Sequence, residues 1–372
     1  MKLLFTCLFI CTCSILAAQD NYAYADSKAL QIPASQTYSA AGIASYINDN
    51  FKTGGEKVRA VYTWITNNIE YSKDSMYHFQ RWGDDPEIKM TAILRRRKGV
   101  CDNYADLFAS IVNKCGVKAV SITGYTKTNG FVNRSGHGWN AVFVNNEWLL
   151  CDPTWDAGYN NSYNYFLVAP SEFIDTHMPF DPLWQLLEHP ISNKEFEKGF
   201  YHSKKETPVF HFTDSVALYL QSDTLQQMEA ASRRMNAAGT DNEDLRTWYA
   251  YNQMKVHIVL QEENMQLFNE AVADLNSAKK LFNDFVEYRN NQFKPARKDE
   301  DIKAMFSNIE LLLSSSYKKM NDIGKKAENY QYDTDGLKDN LDSISIKEKA
   351  QNEFLQKYFA AAETERQKLL YK

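Results

Sequence analysis

Three residues have the types and surroundings for acyl transfer on sulfur: Cys101 in "RRRKGVCDNYADLFASIVNKCG", and His137 and Asp152 at the two ends of "HGWNAVFVNNEWLLCD". A thiolate can attack a carbonyl. An imidazole can take the thiol proton and later return it to the leaving group, while a carboxylate fixes the imidazole tautomer and stabilises the imidazolium. That chemistry needs the three side chains within hydrogen-bond reach, so the elements that carry them decide whether it is available.

After Cys101, apolar residues fall at Tyr104, Leu107, Phe108, Ile111, Val112 and Cys115, a three-and-four spacing that predicts an amphipathic helix. Gly99 marks the turn before it and Gly116 the left-handed cap after it. Cys101 then lies in the first helical turn, where unpaired backbone N–H groups and the helix dipole favour negative charge and can stabilise an oxyanion. Taken alone, a cysteine here reads as a small residue at a helix start. Cys115, at the far end of the stripe, reads as core. Residues 95–98, "RRRK", read as the solvated end of the preceding helix, "DPEIKMTAILRRRKG".

"NAVFV" and "EWLLC" are strand-like runs joined by Asn145 and Asn146, which tolerate the positive φ of a two-residue hairpin. If Val144 faces Glu147, Phe143 faces Trp148, Ala141 faces Leu150 and Trp139 faces Asp152. Alternation then puts His137, Trp139 and Asp152 on one face, with His137 and Asp152 as diagonal neighbours. Trp139 sits between them, to shield their hydrogen bond or to contact substrate, and Cys151 points to the other face. The candidate catalytic residues are therefore Cys101, His137 and Asp152, with Trp139 beside them.

The segments "KGVCDNYADLFASIVNKCGVKAVSITGY" and "GHGWNAVFVNNEWLLCDPTWDAGY" resemble the transglutaminase-like superfamily, and within it the kyphoscoliosis-peptidase-like branch. "WITNNIEY" at 64–71 and "YFLVAPSEFIDTHMPFDPLWQLLEHPIS" at 165–192 extend the likeness in the same order. The resemblance implies a papain/transglutaminase-like α+β fold, with the cysteine helix packed on an antiparallel sheet bearing the histidine and aspartate. It carries the catalytic cysteine onto Cys101, the histidine onto His137 and the aspartate onto Asp152. Gly138 departs from the alanine usual in the family, a difference read as one of local backbone stiffness.

The whole chain bounds the rest. Its 372 residues, 44% hydrophobic, can fill two domains, and 42 basic against 47 acidic residues give a net charge of −5, too weak and too dispersed to attract nucleic acid. The opening "MKLLFTCLFICTCSILAAQD" has a lysine, a short apolar run and small residues up to Ala18, the layout of a signal peptide over 1–18. The run is shorter than a membrane span needs, and Cys7, Cys11 and Cys13 do not sit as a lipoprotein anchor would require. A secreted or periplasmic setting is expected, leaving Cys101, Cys115 and Cys151. A Cys115–Cys151 disulfide would make Cys101 the odd free thiol.

The expected domains are a transglutaminase-like domain over 19–206 and a C-terminal helical region over 207–372. In the latter, Val272, Leu275, Ala278, Phe282 and Phe285, then Ile302, Met305, Phe306, Ile309 and Leu313, then Leu337, Leu341, Phe354 and Tyr358 form apolar stripes of an all-α bundle. "PARKDED" near 295 and "YDTDG" near 332 supply its breaks. His177, His189, His202 and His211 match no metal-site spacing and read as ordinary polar or packing residues, so neither metal nor cofactor is expected.

The leading expectation is a cysteine peptidase or amidase that forms an acyl-enzyme on Cys101 and takes a protein, peptide or cell-wall peptide substrate. The Cys101 N–H would supply one oxyanion donor. Nothing fixes the second, with Gln80 and Trp82 lying upstream. The alternatives are a crosslinking transglutaminase and a non-catalytic scaffold whose C-terminal helices recruit a protein partner.

Overall fold

The computed structural model describes residues 22–74, 85–158, 161–199, 209–324 and 332–371. The chain divides into two compact units, Met1–Asn252 and Gln253–Lys372. The expected signal peptide, with Cys7, Cys11 and Cys13, lies outside the described residues, as do Gln80, Trp82 and His202. No helix among the described residues is long and apolar enough to cross a membrane.

In the first unit, helices α1 (Ala23–Ala29), α2 (Ala40–Asn50) and α3 (Gly54–Asn68) lead into the two-residue strand β1 (Glu70–Tyr71). Helix α4 (Pro86–Arg96) and strand β2 (Lys98–Gly99), parallel to β1, then deliver the chain to α5, Cys101–Lys114. A four-stranded antiparallel sheet follows, built from β3 (Lys118–Thr128), β4 (Phe131–Val144), β5 (Glu147–Cys151) and β6 (His177–Pro179) in the order β5-β4-β3-β6. Short helices α6 (Pro153–Gly158) and α7 (Pro170–Phe173) lie between β5 and β6.

The expected helix at the cysteine begins at Cys101 itself, and Tyr104, Leu107, Phe108, Ile111, Val112 and Cys115 are all buried. Gly116 takes the left-handed φ of 83° that a terminating residue needs. The apolar stripe of α5 packs with Val61, Tyr62 and Ile65 of α3 in one core. Full burial of each large side chain contributes about 1.5–3 kcal/mol, so this packing fixes where the first turn of α5 sits. Arg97 departs from the expected solvated helix end. It caps α4 in the left-handed conformation, donates to the Thr37 hydroxyl at 2.6 Å and lies over the Trp64 ring at 4.8 Å.

Helices α8 (Asn193–Lys198), α9 (Phe212–Gln221) and α10 (Thr224–Ala238) belong to the first unit, and α11 (Glu243–Asn290) contains the division at 252. Val216 joins Trp148 and Trp184 in one buried cluster, while Met235 and Leu245 join Tyr125 and Phe180 in another. Arg234 binds Asp181 through two hydrogen bonds of 2.7 and 2.6 Å. The composition changes at 207, but composition reports secondary structure, not which core a helix joins, and the first compact unit runs on to Asn252.

In the second unit, the C-terminal part of α11 packs with α12 (Asp299–Asp322) and α13 (Thr334–Ala360), followed by the short α14 (Glu363–Leu369). Leu275, Phe282, Phe285, Ile309, Leu313 and Leu341 from the three apolar stripes share one core.

Candidate active site

Strand β4 positions the histidine. Its even-numbered residues face α5: Asn140 donates to the Ala105 carbonyl at 2.8 Å and Val142 joins the core that α5 fills. At Gly138 a Cβ would come within 2.7 Å of Asp102 Oδ1 and 3.3 Å of the Asp102 backbone. The missing side chain therefore lets the first turn of α5 press against β4 beside His137. Close approach, rather than the backbone stiffness read from sequence, is what glycine supplies here.

The ladder between β4 and β5 pairs Asn140 with Cys151, Ala141 with Leu150, Phe143 with Trp148 and Val144 with Glu147. That is the register read from the two asparagines, and Asn145 and Asn146 take the positive φ of 55° and 67° that their turn requires. The ladder ends one pair short of Trp139 and Asp152, because Asp152 leaves the strand to start α6. Its Oδ1 accepts the N–H groups of Thr154 at 2.9 Å and Trp155 at 3.1 Å, and its own N–H donates to the Tyr165 carbonyl.

Asp152 Oδ2 takes the His137 Nε2–H at 2.7 Å, both side chains being buried. Cys101 lies beside this imidazole: its thiol contacts the carbonyl of Gly136, the residue before His137, at 4.0 Å, and it is among the groups that favour the charged ring. Trp139 stacks on His137 with ring centroids 6.1 Å apart and is itself buried, a position for shielding that leaves no face for substrate. Cys101, His137, Asp152 and Trp139 are thus brought together.

Burial opposes protonation of His137, but the charge and hydrogen bond of Asp152, with smaller help from Cys101, outweigh it and raise the imidazole to about 10. Burial would likewise raise Asp152, yet His137 first and His177 second hold its carboxyl well below the usual carboxylate range. The pair is therefore ionic across neutral pH.

His177, read from sequence as an ordinary packing residue, belongs to this site. Strand β6 pairs with β3, Thr126 opposite His177, and this brings the ring to Asp152 Oδ2 at 3.1 Å. The local spacing of histidines carries no sign of this, since the contact is made by a strand pairing between distant segments. A histidine within the family-like segment 165–192 was the available signal.

His137, Asp152 and His177 also have the residue types of a metal set, with ligand atoms within 4.8 Å of one another. Ligands about 2.0–2.1 Å from a tetrahedral ion stand roughly 3.3 Å apart. Both imidazole Nε2 atoms instead meet the same carboxylate oxygen, at 2.7 and 3.1 Å. Hydrogen bonds fit that geometry and a shared ion does not.

Cys101, Cys115 and Cys151 are free thiols, and no Cys115–Cys151 disulfide joins the latter two. Cys151 points away from His137 into the core shared with α5, and its sulfur accepts the Leu167 N–H at 3.3 Å. Burial raises the Cys115 thiol to about 11 and the Cys151 thiol to about 12.

A helix N-terminus bearing a thiol, packed on an antiparallel sheet that carries histidine and then aspartate, defines a papain/transglutaminase-like α+β domain. Residues 41–153 match the family model of the transglutaminase-like superfamily, and this part of the chain is a domain of that superfamily. Human kyphoscoliosis peptidase is 35% identical over 195 residues, which are 47% of this chain and 29% of that protein. Hillarin of Drosophila melanogaster is 31% identical over 191 residues, 43% of this chain and 22% of that protein. A crystal structure of a TGase aligns over 36% of this chain and 32% of its own, at 17% identity and a TM-score of 0.23. The chain spans less than a third of the length of these curated relatives.

Proposed function

We propose that the chain is a thiol hydrolase that cleaves amide bonds in a protein, peptide or cell-wall peptide through an acyl-enzyme on Cys101. One observation carries the reading: the buried His137–Asp152 hydrogen bond of 2.7 Å stands beside Cys101, which opens a helix and contacts the Gly136 carbonyl next to His137. The peptidase name of the human relative supports it. The secreted or periplasmic setting belongs to the same proposal and rests on the N-terminal leader pattern.

In this mechanism Cys101 reacts as the thiolate of a thiolate–imidazolium pair, with the proton it has given up held on His137 Nδ1, and Sγ attacks the substrate carbonyl carbon. The oxyanion forms beside the backbone N–H groups that open α5, where the helix dipole favours it. His137 then protonates the leaving amine as the C–N bond breaks, leaving the acyl group on sulfur. Water, deprotonated by His137, releases the acid and restores the thiolate–imidazolium pair. Asp152 stays ionised throughout and holds Nε2–H in place.

The test is turnover of a panel of casein and peptidoglycan peptides by the wild-type chain and by Cys101→Ala. Hydrolysis that vanishes in the variant is expected, and undiminished turnover would sink the assignment. Incorporation of a labelled primary amine into a glutamine protein, with no hydrolysis, would point to crosslinking instead. Alkylation of Cys101 no faster than an ordinary thiol would favour a non-catalytic module whose C-terminal helices recruit a protein partner.

A further inference from the structure

The hydrogen bonds at Asp152 leave its carboxylate no spare capacity among the described donors. Oδ1 accepts two backbone N–H groups and Oδ2 accepts two imidazoles, which fills the roughly four lone-pair sites a carboxylate offers. His137 serves the chemistry, so the open question is what His177 does with the other half of Oδ2.

The surroundings of His177 fix its chemical state. The ring is buried, stacked on Phe173 at 4.0 Å and packed on Trp155 at 4.5 Å, with Trp139 at 5.2 Å and Tyr165 at 5.5 Å. The titratable groups facing it are Asp152, His137 and Tyr165. Asp152 Oδ2, 3.1 Å from Nε2, can only accept, so a neutral ring keeps its proton on Nε2, and Thr176 Oγ1, 2.8 Å from Nδ1, gives its hydroxyl proton there in preference to the Phe173 carbonyl at 3.4 Å. Burial, the largest influence, lowers the ring to about 4 against the opposing pull of Asp152, so His177 is uncharged at neutral pH.

We propose that His177 is a positioning residue: a neutral N–H donor, its tautomer set between Asp152 and Thr176, that saturates Asp152 Oδ2 so that the oxygen serves as the ionised anchor of His137. The inference rests on the thiol-enzyme reading above. An imidazolium in this place would compete with His137 for the same charge, whereas a neutral N–H steadies the carboxylate without doing so. An apolar ring here would leave one lone pair of a buried carboxylate without a donor. Asp152 would then take up a proton at higher pH, and the support it gives to a charged His137 would fail earlier on acidification.

The test uses the full chain with His177→Phe, which keeps an aromatic ring in the cage, and His177→Gln, whose Nε2–H can replace the lost donor. The rate of Cys101 alkylation by iodoacetamide, located by mass spectrometry, is followed from about pH 4 to 9. The acid limb of the profile is expected to move up by about one pH unit in the Phe variant, a tenfold change in proton affinity, and to return toward wild type in the Gln variant. A merely structural role would lower the rates without moving the limb. In parallel, imidazole 15N spectra of the wild-type chain are expected to find His177 protonated on Nε2 and not titrating between about pH 5 and 8.

An unmoved limb in His177→Phe overturns the inference, as does a His177 that carries its proton on Nδ1 or titrates in that range. If the Phe variant does not fold, the wild-type spectra decide. If wild-type Cys101 alkylates no faster than an ordinary thiol whether or not His137 is present, the thiol-enzyme reading is what fails, and the spectra still judge His177 separately.

Discussion

Asp152 and Asp156 stand four residues apart at the start and in the body of α6, both fully buried. Each accepts four hydrogen bonds among the described residues. Asp152 takes two backbone N–H groups and two imidazoles. Asp156 takes the hydroxyls of Tyr62 at 2.5 Å and Ser162 at 3.0 Å, and the N–H groups of Asn164 at 3.0 Å and Tyr165 at 2.9 Å. Yet Asp152 is pulled well below the usual carboxylate range, while burial, aided by the charge of Asp152, pushes Asp156 up from its ordinary value. The number of hydrogen bonds is the same, so the difference lies in their charge. Four neutral dipoles do not offset the burial of Asp156, whereas one imidazolium among the donors of Asp152 does. One carboxylate is thereby fitted to hold a cation beside the thiol, and the other to pin the chain from 162 to 165 against α3.

Exchanging each carboxylate for an amide breaks the comparison most directly. Asp152→Asn should lower alkylation of Cys101, and any hydrolysis, by about 10³–10⁴-fold at neutral pH, because the amide neither fixes the His137 tautomer nor stabilises the imidazolium. Asp156→Asn should leave both rates within about threefold of wild type. Equal losses in the two variants would mean that Asp152, like Asp156, only supports the fold.

A Gly138→Ala variant comes next. Its Cβ would meet Asp102 Oδ1 at 2.7 Å, so α5 or β4 must give way and the thiol must shift relative to His137. A loss of about 10–100-fold in the alkylation rate is expected, with the circular-dichroism spectrum preserved. An unchanged rate would mean that the contact does not set the spacing between thiol and imidazole.

The stability effects are smaller. Asp156→Asn turns an NH₂ toward donors that have nothing to receive, and denaturant titration should find a loss of about 1–3 kcal/mol. Its pH dependence has a definite sign. A carboxyl whose folded pKa is raised binds protons more readily folded than unfolded, so acidification from neutral pH through the ordinary carboxylate range favours the wild-type fold relative to the Asn variant. His137 runs the other way. Raised to about 10, it supports the fold fully below the ordinary imidazole value of about 6.5, and that support is lost as pH climbs through 10. Thermal melts of His137→Gln against wild type should therefore converge at the alkaline end. A gap that stays constant with pH would remove the ion pair from the explanation.

Much of this site is legible in the sequence because its pieces are local. The stripe after Cys101 specifies a helix start, and two asparagines specify a register that carries His137 and Asp152 toward one face. What local pattern does not contain is the pairing of Thr126 with His177, which joins distant segments through a three-residue antiparallel pairing of β6 with β3. The same limit applies to Gly138, whose role depends on how closely α5 approaches, and to Val216 and Met235, whose helical spacing is plain while the core they join is not. Periodicity specifies that a face is buried; only the tertiary fold specifies against what.

Site-resolved alkylation of Cys101, Cys115 and Cys151 in the intact chain at neutral pH measures the proposed chemistry most directly. Cys101 should react at least about 100-fold faster than Cys115 and Cys151, which burial raises to about 11 and about 12, and His137→Ala should abolish the preference. Cys101 reacting like an ordinary thiol, at a rate indifferent to His137, would contradict it.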